Sequence, residues 1–270
     1  PGTDKASLRS HPVQGFTWSD FTAKPGYDYT YRVVALKGSP RSLIEDDEIE
    51  VREQTEKEDN GLHEVWFNRG AAASQEYARR FKNESPEIVG KPAFDWLSRG
   101  LMEALLEFLL RAKNCQWALR VAAYQFTNET VLKALKSAKD RGVDVSILYD
   151  GRDEKVSALN KAAVLNAGID SLCRQRTANP SAIAHNKFIV LLKNNQPQAV
   201  WTGSTNITDG GIFGHSNVGH VVNDMGVASS YHDYWNLLAV DPNFPLLRPG
   251  VETLTPTPSS GSSPRQATST

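Results

Sequence analysis

The chain has 270 residues, 40% of them hydrophobic, enough for one large domain or two modest ones. Lys and Arg number 30 and Asp and Glu 31, so the formal net charge is −1. This excludes a chain that holds nucleic acid by bulk charge, although a local basic groove stays open. Two cysteines, Cys115 and Cys173, exclude a disulfide-dense scaffold and a Cys-rich zinc module.

The sequence starts at Pro1, as expected of a fragment or processed form, and shows no signal peptide. Its most apolar run, Leu101–Leu110, is short and interrupted by Glu103 and Glu107, so stable membrane insertion is not expected.

The first fifty residues read as β. Tyr27, Tyr29, Tyr31 and Val33 alternate after the Pro25-Gly26 turn, and Ile49, Val51 and Glu53 alternate further on. This segment resembles the latter part of a fibronectin-like β-sandwich, with too few strands for a whole one. Such a module suits an extracellular or secreted protein and reads as a spacer rather than a binding element. Residues 41–59 carry nine acidic and three basic side chains and read as a solvated face or linker. Residues 1–60 are therefore set apart as a partial β segment with an acidic linker.

From residue 61 to 245 the texture alternates between β and α. "HEVWFN" reads as a strand and "SQEYARRF" as a helix. Asp95 is placed to cap a largely buried helix running to Lys113, with Arg99, Glu103, Glu107 and Arg111 as its polar stripe. "WALRVAAYQF", "VDVSILY" and "IDSLC" read as strands separated by helices that end at Gly142 and Gly168. This order predicts an α/β fold with a mostly parallel sheet. "HNKFIVLL" and "QAVWTG" follow as a hairpin, "NVGHVV" as a further strand, and Val227–Leu238 as a closing helix. Residues 246–270, rich in Ser, Thr and Pro towards their end, read as a linker or tail.

The chemistry concentrates in residues 184–222. Strand alternation puts His185 and Lys187 on one face, and the hairpin returns Gly203-Ser204-Thr205-Asn206 to the same end of the sheet. A neutral imidazole can attack phosphorus. Lys187, Ser204, Asn206 and Asn217 can hold the non-bridging oxygens while charge grows, and that scheme needs no metal or other cofactor. His215 and His220 read as ordinary loop and strand residues, Trp201 and Trp235 as core aromatics, and both cysteines as buried thiols.

This segment resembles the phospholipase D superfamily, whose signature is His-x-Lys, an Asp a few residues on, and Gly-Ser-x-Asn. The upstream "AYQFTNETVLKALKSAKDRGVDVSILYD" is similar to the strand–helix–strand that precedes the signature there, so the resemblance spans about residues 62–240. It implies an α-β-α sandwich around a mixed, mostly parallel sheet. It also implies a metal-independent phosphodiesterase in which His185, Lys187 and Asn206 are catalytic. The expected substrate is a phospholipid head group, with a dimeric nonspecific nuclease or a silent binding domain as alternatives. Two departures stand out. Leu191, Leu192 and Lys193 occupy the stretch of the motif's Asp. Ser216 stands where some relatives place a carboxylate that orients the histidine. The superfamily's enzymes use two motif copies, and this chain shows one. The second half is expected from a homodimer mate or from a longer parent chain.

Overall fold

The computed structural model describes residues 7–18, 20, 23–70, 74–178 and 183–255. The chain divides into two units, residues 1–60 and 61–270. In the first, strands β1 (Asp28–Ser39) and β2 (Ser42–Gln54) pair antiparallel, with Tyr31 opposite Val51 and Val33 opposite Ile49. Alternation gathers rings on one face: Tyr29 stacks on Tyr31 at 6.0 Å, and Trp18 meets Tyr31 edge-on at 5.9 Å. The acidic run is a solvated face, exposed at nearly every position, and a strand rather than a linker. It forms β2, where Glu48 pairs with Arg32 and Asp46 with Lys37 across the ladder. Among the described residues this unit has two strands, so what is seen is a hairpin rather than a sandwich.

Among the described residues the second unit has seven strands: β3 (His63–Phe67), β4 (Trp117–Ala123), β5 (Asp144–Asp150), β6 (Cys173–Arg176), β7 (Lys187–Lys193), β8 (Gln196–Gly203) and β9 (Val218–Val222). Their order is β3-β9-β8-β7-β4-β5-β6. The sheet is mixed. Parallel pairing is confined to β4, β5 and β6, and every other neighbour is antiparallel. The alternating pattern overstated the parallel share because, among neighbouring strands, only β4–β5 and β5–β6 are joined through a crossover helix. By contrast, Asn194 and Asn195, both with positive φ, join β7 to β8 in a two-residue turn.

Among the described residues the unit also has eight helices: α1 (Gln75–Phe81), α2 (Pro86–Val89), α3 (Lys91–Ser98), α4 (Leu101–Leu110), α5 (Glu129–Asp140), α6 (Glu154–Asn166), α7 (Met225–Ala239) and α8 (Phe244–Leu254). One face of the sheet presents Leu119, Val121, Ile147, Ile189 and Trp201 to α4, α5 and α6. The other presents Ala122, Leu148, Phe188, Val190 and Val200 to α7 and α8. This α-β-α layering buries both faces of the central strands, which accounts for their continuous apolar runs.

Several expectations change. Asp95 lies inside α3 and caps nothing. The foreseen helix breaks at Arg99 and Gly100, both in the left-handed region, and α4 starts afresh. Asp170–Leu172 is a 3₁₀ turn, so the strand after Gly168 begins only at Cys173. Cys115 is exposed and Cys173 half-buried, so neither thiol is a core group, although burial pushes the Cys173 thiol up to about 12. The tail does not begin at residue 246. Helix α8, capped by Asn243 with Pro245 in its first turn, runs to Leu254 because Leu247 and Val251 pack on the α7 face. Residues 256–270 lie outside the described residues.

Arg111, at the end of α4, reaches Glu64 on β3 with two contacts of 2.7 Å, and Glu64 is 8% exposed. Asn223 donates to the same carboxylate at 2.6 Å. Arg111→Ala strands a buried carboxylate, so it lowers stability by about 2–3 kcal/mol, the part-exposed arginine keeping the loss below that of a fully buried pair. Urea unfolding of the variant measures this, and an unchanged midpoint contradicts it.

Candidate active site

Sheet register decides which residues can meet. Ala123 lies opposite Lys187, Ile189 opposite Trp201, and Gly203 opposite Gly219. The end of β4, the start of β7, the end of β8 and the start of β9 therefore share one end of the sheet. The crossing of β8 and β9 is tight. Gly203 has φ +134°, and a Cβ there would lie 2.2 Å from the Val218 carbonyl oxygen, so a side chain is barred.

His185 and Asn186 precede β7 rather than lying in it, so plain strand alternation does not place His185. It is placed instead by Tyr124, just past β4. The His185 and Tyr124 rings lie 4.9 Å apart. The Lys187 ammonium sits 5.6 Å from the same tyrosine ring and donates to the His185 carbonyl at 3.1 Å. Imidazole and ammonium are thus gathered around one aromatic ring. Burial lowers the Lys187 ammonium to about 8. Burial also lowers His185, the Lys187 charge adds to that effect, and Asp150 opposes it. The neutral, nucleophilic imidazole is the favoured form near neutral pH.

Asn206 joins the same segment. Its amide donates to the Gln125 side-chain carbonyl at 2.9 Å, while its own side-chain oxygen is buried without a partner. Ser204 and Asn217 form a second group. The Ser204 hydroxyl donates to Asn217 Oδ1 at 2.8 Å and accepts from the Val218 amide at 3.1 Å. The Asn217 amide donates to the Gly211 carbonyl at 2.8 Å. Buried Asn68 ties this loop down, donating to the Ile212 and His215 carbonyls at 2.6 and 2.8 Å and accepting from the Asn217 amide N–H at 2.7 Å. Ser204 and Asn217 are therefore engaged in holding the β8–β9 loop. No hydrogen bond joins them to His185 or Lys187 among the described residues.

The stretch of the missing motif Asp is core strand, with Leu191 3% and Leu192 2% exposed. Ser216 donates to the Arg69 carbonyl at 3.3 Å and supports the loop. His220 is on β9 beside His63, Nε2 to Nδ1 2.9 Å, away from His185 in the ladder. Among the described residues no three His, Cys, Asp or Glu side chains group to hold a metal, and no helix is long and apolar enough to cross a membrane. Tyr124, Gln125, Asn68 and Asp150 were not foreseen as site residues. Only Tyr124-Gln125 and Asp150 carried a signal, being polar groups where a buried strand stops.

The family model described as the PLD-like domain of cardiolipin synthase matches residues 108–238. Nuc from Salmonella typhimurium, a phospholipase D family member of known structure, is 32% identical, the likeness covering 50% of this chain and 84% of that one with a TM-score of 0.41. This chain belongs to the phospholipase D family. NucT from Helicobacter pylori is 15% identical, with 66% of this chain and 96% of that one covered and a TM-score of 0.46. Polyphosphate kinase from Porphyromonas gingivalis is 19% identical over 55% of this chain and 24% of its own, with a TM-score of 0.40. No curated protein sequence matches the chain. Phospholipase D superfamily members are generally phosphodiesterases.

Two outcomes test the site. Because the Lys187 charge holds His185 down, Lys187→Met raises the His185 midpoint, read as the ring-proton titration by NMR. An unchanged midpoint would show that the two groups are not coupled. Asn68→Ala removes three hydrogen bonds that hold the β8–β9 loop, which costs on the order of 2–3 kcal/mol in thermal or urea unfolding.

Proposed function

We propose that this chain carries one half of a metal-independent phosphodiesterase centre that works through a phosphohistidine. The observation that carries this reading is the meeting of the His185 ring and the Lys187 ammonium around Tyr124. The neutral His185 ring attacks phosphorus; an N–P bond forms and the P–O bond to the leaving alcohol breaks. Lys187 and the Asn206 amide face the non-bridging oxygens, whose charge grows in the transition state. The histidine of a second motif, from another copy of this chain or a further segment of a longer parent, protonates the leaving oxygen. It then takes a proton from the water or alcohol that cleaves the N–P bond.

The near-neutral chain supports a phospholipid head group as substrate, because no excess of positive charge draws in a polyanion. A nuclease acting as a dimer is the second reading. It is supported by the 32% identity with Nuc over most of that chain and requires the same chemistry at phosphorus. Hydrolysis of phosphatidylcholine vesicles and of plasmid DNA, each in EDTA, separates the two.

His185→Ala abolishes turnover, by about a thousandfold or more, and leaves the melting transition near that of the wild type, since the side chain is exposed. Full activity in that variant overturns the assignment. The pH–rate profile is bell-shaped. Activity is lost as pH falls through the lowered His185 midpoint, where the nucleophile is protonated, and as pH rises through about 8, where Lys187 loses its proton. A profile flat through pH 9 excludes the role given to Lys187.

A further inference from the structure

We propose that Asp150, at the end of β5, is the positioning carboxylate of His185 and takes over the supporting role that the absent motif Asp leaves open. The inference rests on the reading of His185 as nucleophile. Asp150 closes a strand of the buried half of the sheet and is 0% exposed. Its two oxygens are spoken for by the main chain on either side of the site. Oδ1 accepts the Ala184 N–H at 2.6 Å, one residue before His185, and Oδ2 accepts the Asp153 N–H at 3.2 Å, where α6 is about to begin. A fully buried carboxylate with only backbone donors is expensive to keep, and it holds those donors tightly in return. Here the donor held is the peptide that delivers His185 into β7. Asn186, on the other side of His185, is fixed separately, donating to the Tyr234 hydroxyl at 2.9 Å. The histidine thus hangs between two anchored neighbours although no side chain of its own strand orients it.

The carboxylate has a second effect, through space. Its negative charge raises His185 against burial and against Lys187, and it acts on Tyr124 as well. A neutral imidazole gains positive character as the N–P bond forms, so a fixed negative charge near the ring stabilises the phosphohistidine more than the resting enzyme. Other charges are arranged around the same corner. Arg176, at the end of β6, is 7% exposed and lies 3.6 Å from Asp241, which follows α7. Lys187 and Asp153 complete the charges that act on His185 or Tyr124, together with Arg152 beside Asp153. Arg176 is balanced by Asp241. Among the described residues, the hydrogen bonds of Asp150 come from backbone N–H groups alone. A cavity of about 240 Å³ lined by Asp150, Ala184, His185, Asn186, Arg176 and Asp241 opens beside the ring.

The test uses Asp150→Asn and Asp150→Glu in the full chain, with two readouts. First, the His185 ring titration by NMR, which needs no turnover, moves to lower pH in Asp150→Asn by roughly half a unit. Second, the acid limb of the pH–rate profile moves the same way while the plateau kcat falls on the order of tenfold with KM little changed. Asp150→Glu, which keeps the charge, restores the limb. A purely structural carboxylate gives a different pattern. The melting temperature falls, the His185 midpoint and the acid limb stay where they are, and Asp150→Glu does no better than Asn; that pattern overturns the proposal. If His185→Ala is fully active the nucleophile assignment fails first. If His185 is essential but indifferent to Asp150, this inference alone fails.

Discussion

The site depends on one register, the pairing of Ala123 with Lys187 at the junction of β4 and β7. β7 is a central strand with antiparallel neighbours on both sides, so wherever it starts, β4 and β8 must end. A slip by one residue would exchange Ile189 and Leu191 for Phe188 and Val190 on the α4–α6 face. It would also carry Lys187 to the α7 side, away from Tyr124. The two packed cores on either side of the sheet hold that register, because each face of β7 is filled by residues under 5% exposed. Precision at the polar end is bought by apolar packing several residues away.

The electrostatics follow from the same placement. Lys187 lies where a buried strand emerges, so its ammonium is partly desolvated and its proton is weakly held. His185 is one step further out and exposed, yet still feels that desolvation and that charge. The pair is tuned by position rather than by a dedicated salt bridge to either group. An opposite arrangement, with Lys187 fully solvated, would remove the desolvation that lowers its ammonium.

Much of this could be read from the residues alone. The spacing of His185, Lys187 and Gly203–Asn206 around a hairpin was sufficient to bring them to one end of a sheet, because hairpin geometry is local. Helices marked by strong periodicity, such as those that end at Gly142 and Gly168, sit where the pattern places them. What the pattern missed is non-local. Asn68 acts on a loop nearly 150 positions away, and no local signal marks a carboxamide for that work. The break at Arg99-Gly100 needed two left-handed residues in succession, and the continuous apolar spacing on both sides concealed it. Helix α8 was hidden by its two prolines and by a composition that resembles tail more than helix. The parallel share of the sheet was overread because strand alternation with helices does not tell which strand will receive the next one.

The long reach from β3 to β9 bears on how the molecule comes together. The β7–β8 hairpin closes over a two-residue turn and the β4–β5 crossover over a single helix, so the middle of the sheet can assemble from nearby chain. The outer strand β3 can dock only when β9 has been made, as the contact between His63 and His220 spans 157 positions. The entropy of closing so large a loop must be met before the contact returns anything. Folding should therefore proceed from the centre outward, with β3 as the last strand to join and the first to leave. A nascent chain would carry an unpaired β3 until β9 has been made, with Trp66 waiting for the Trp201 ring on which it finally stacks.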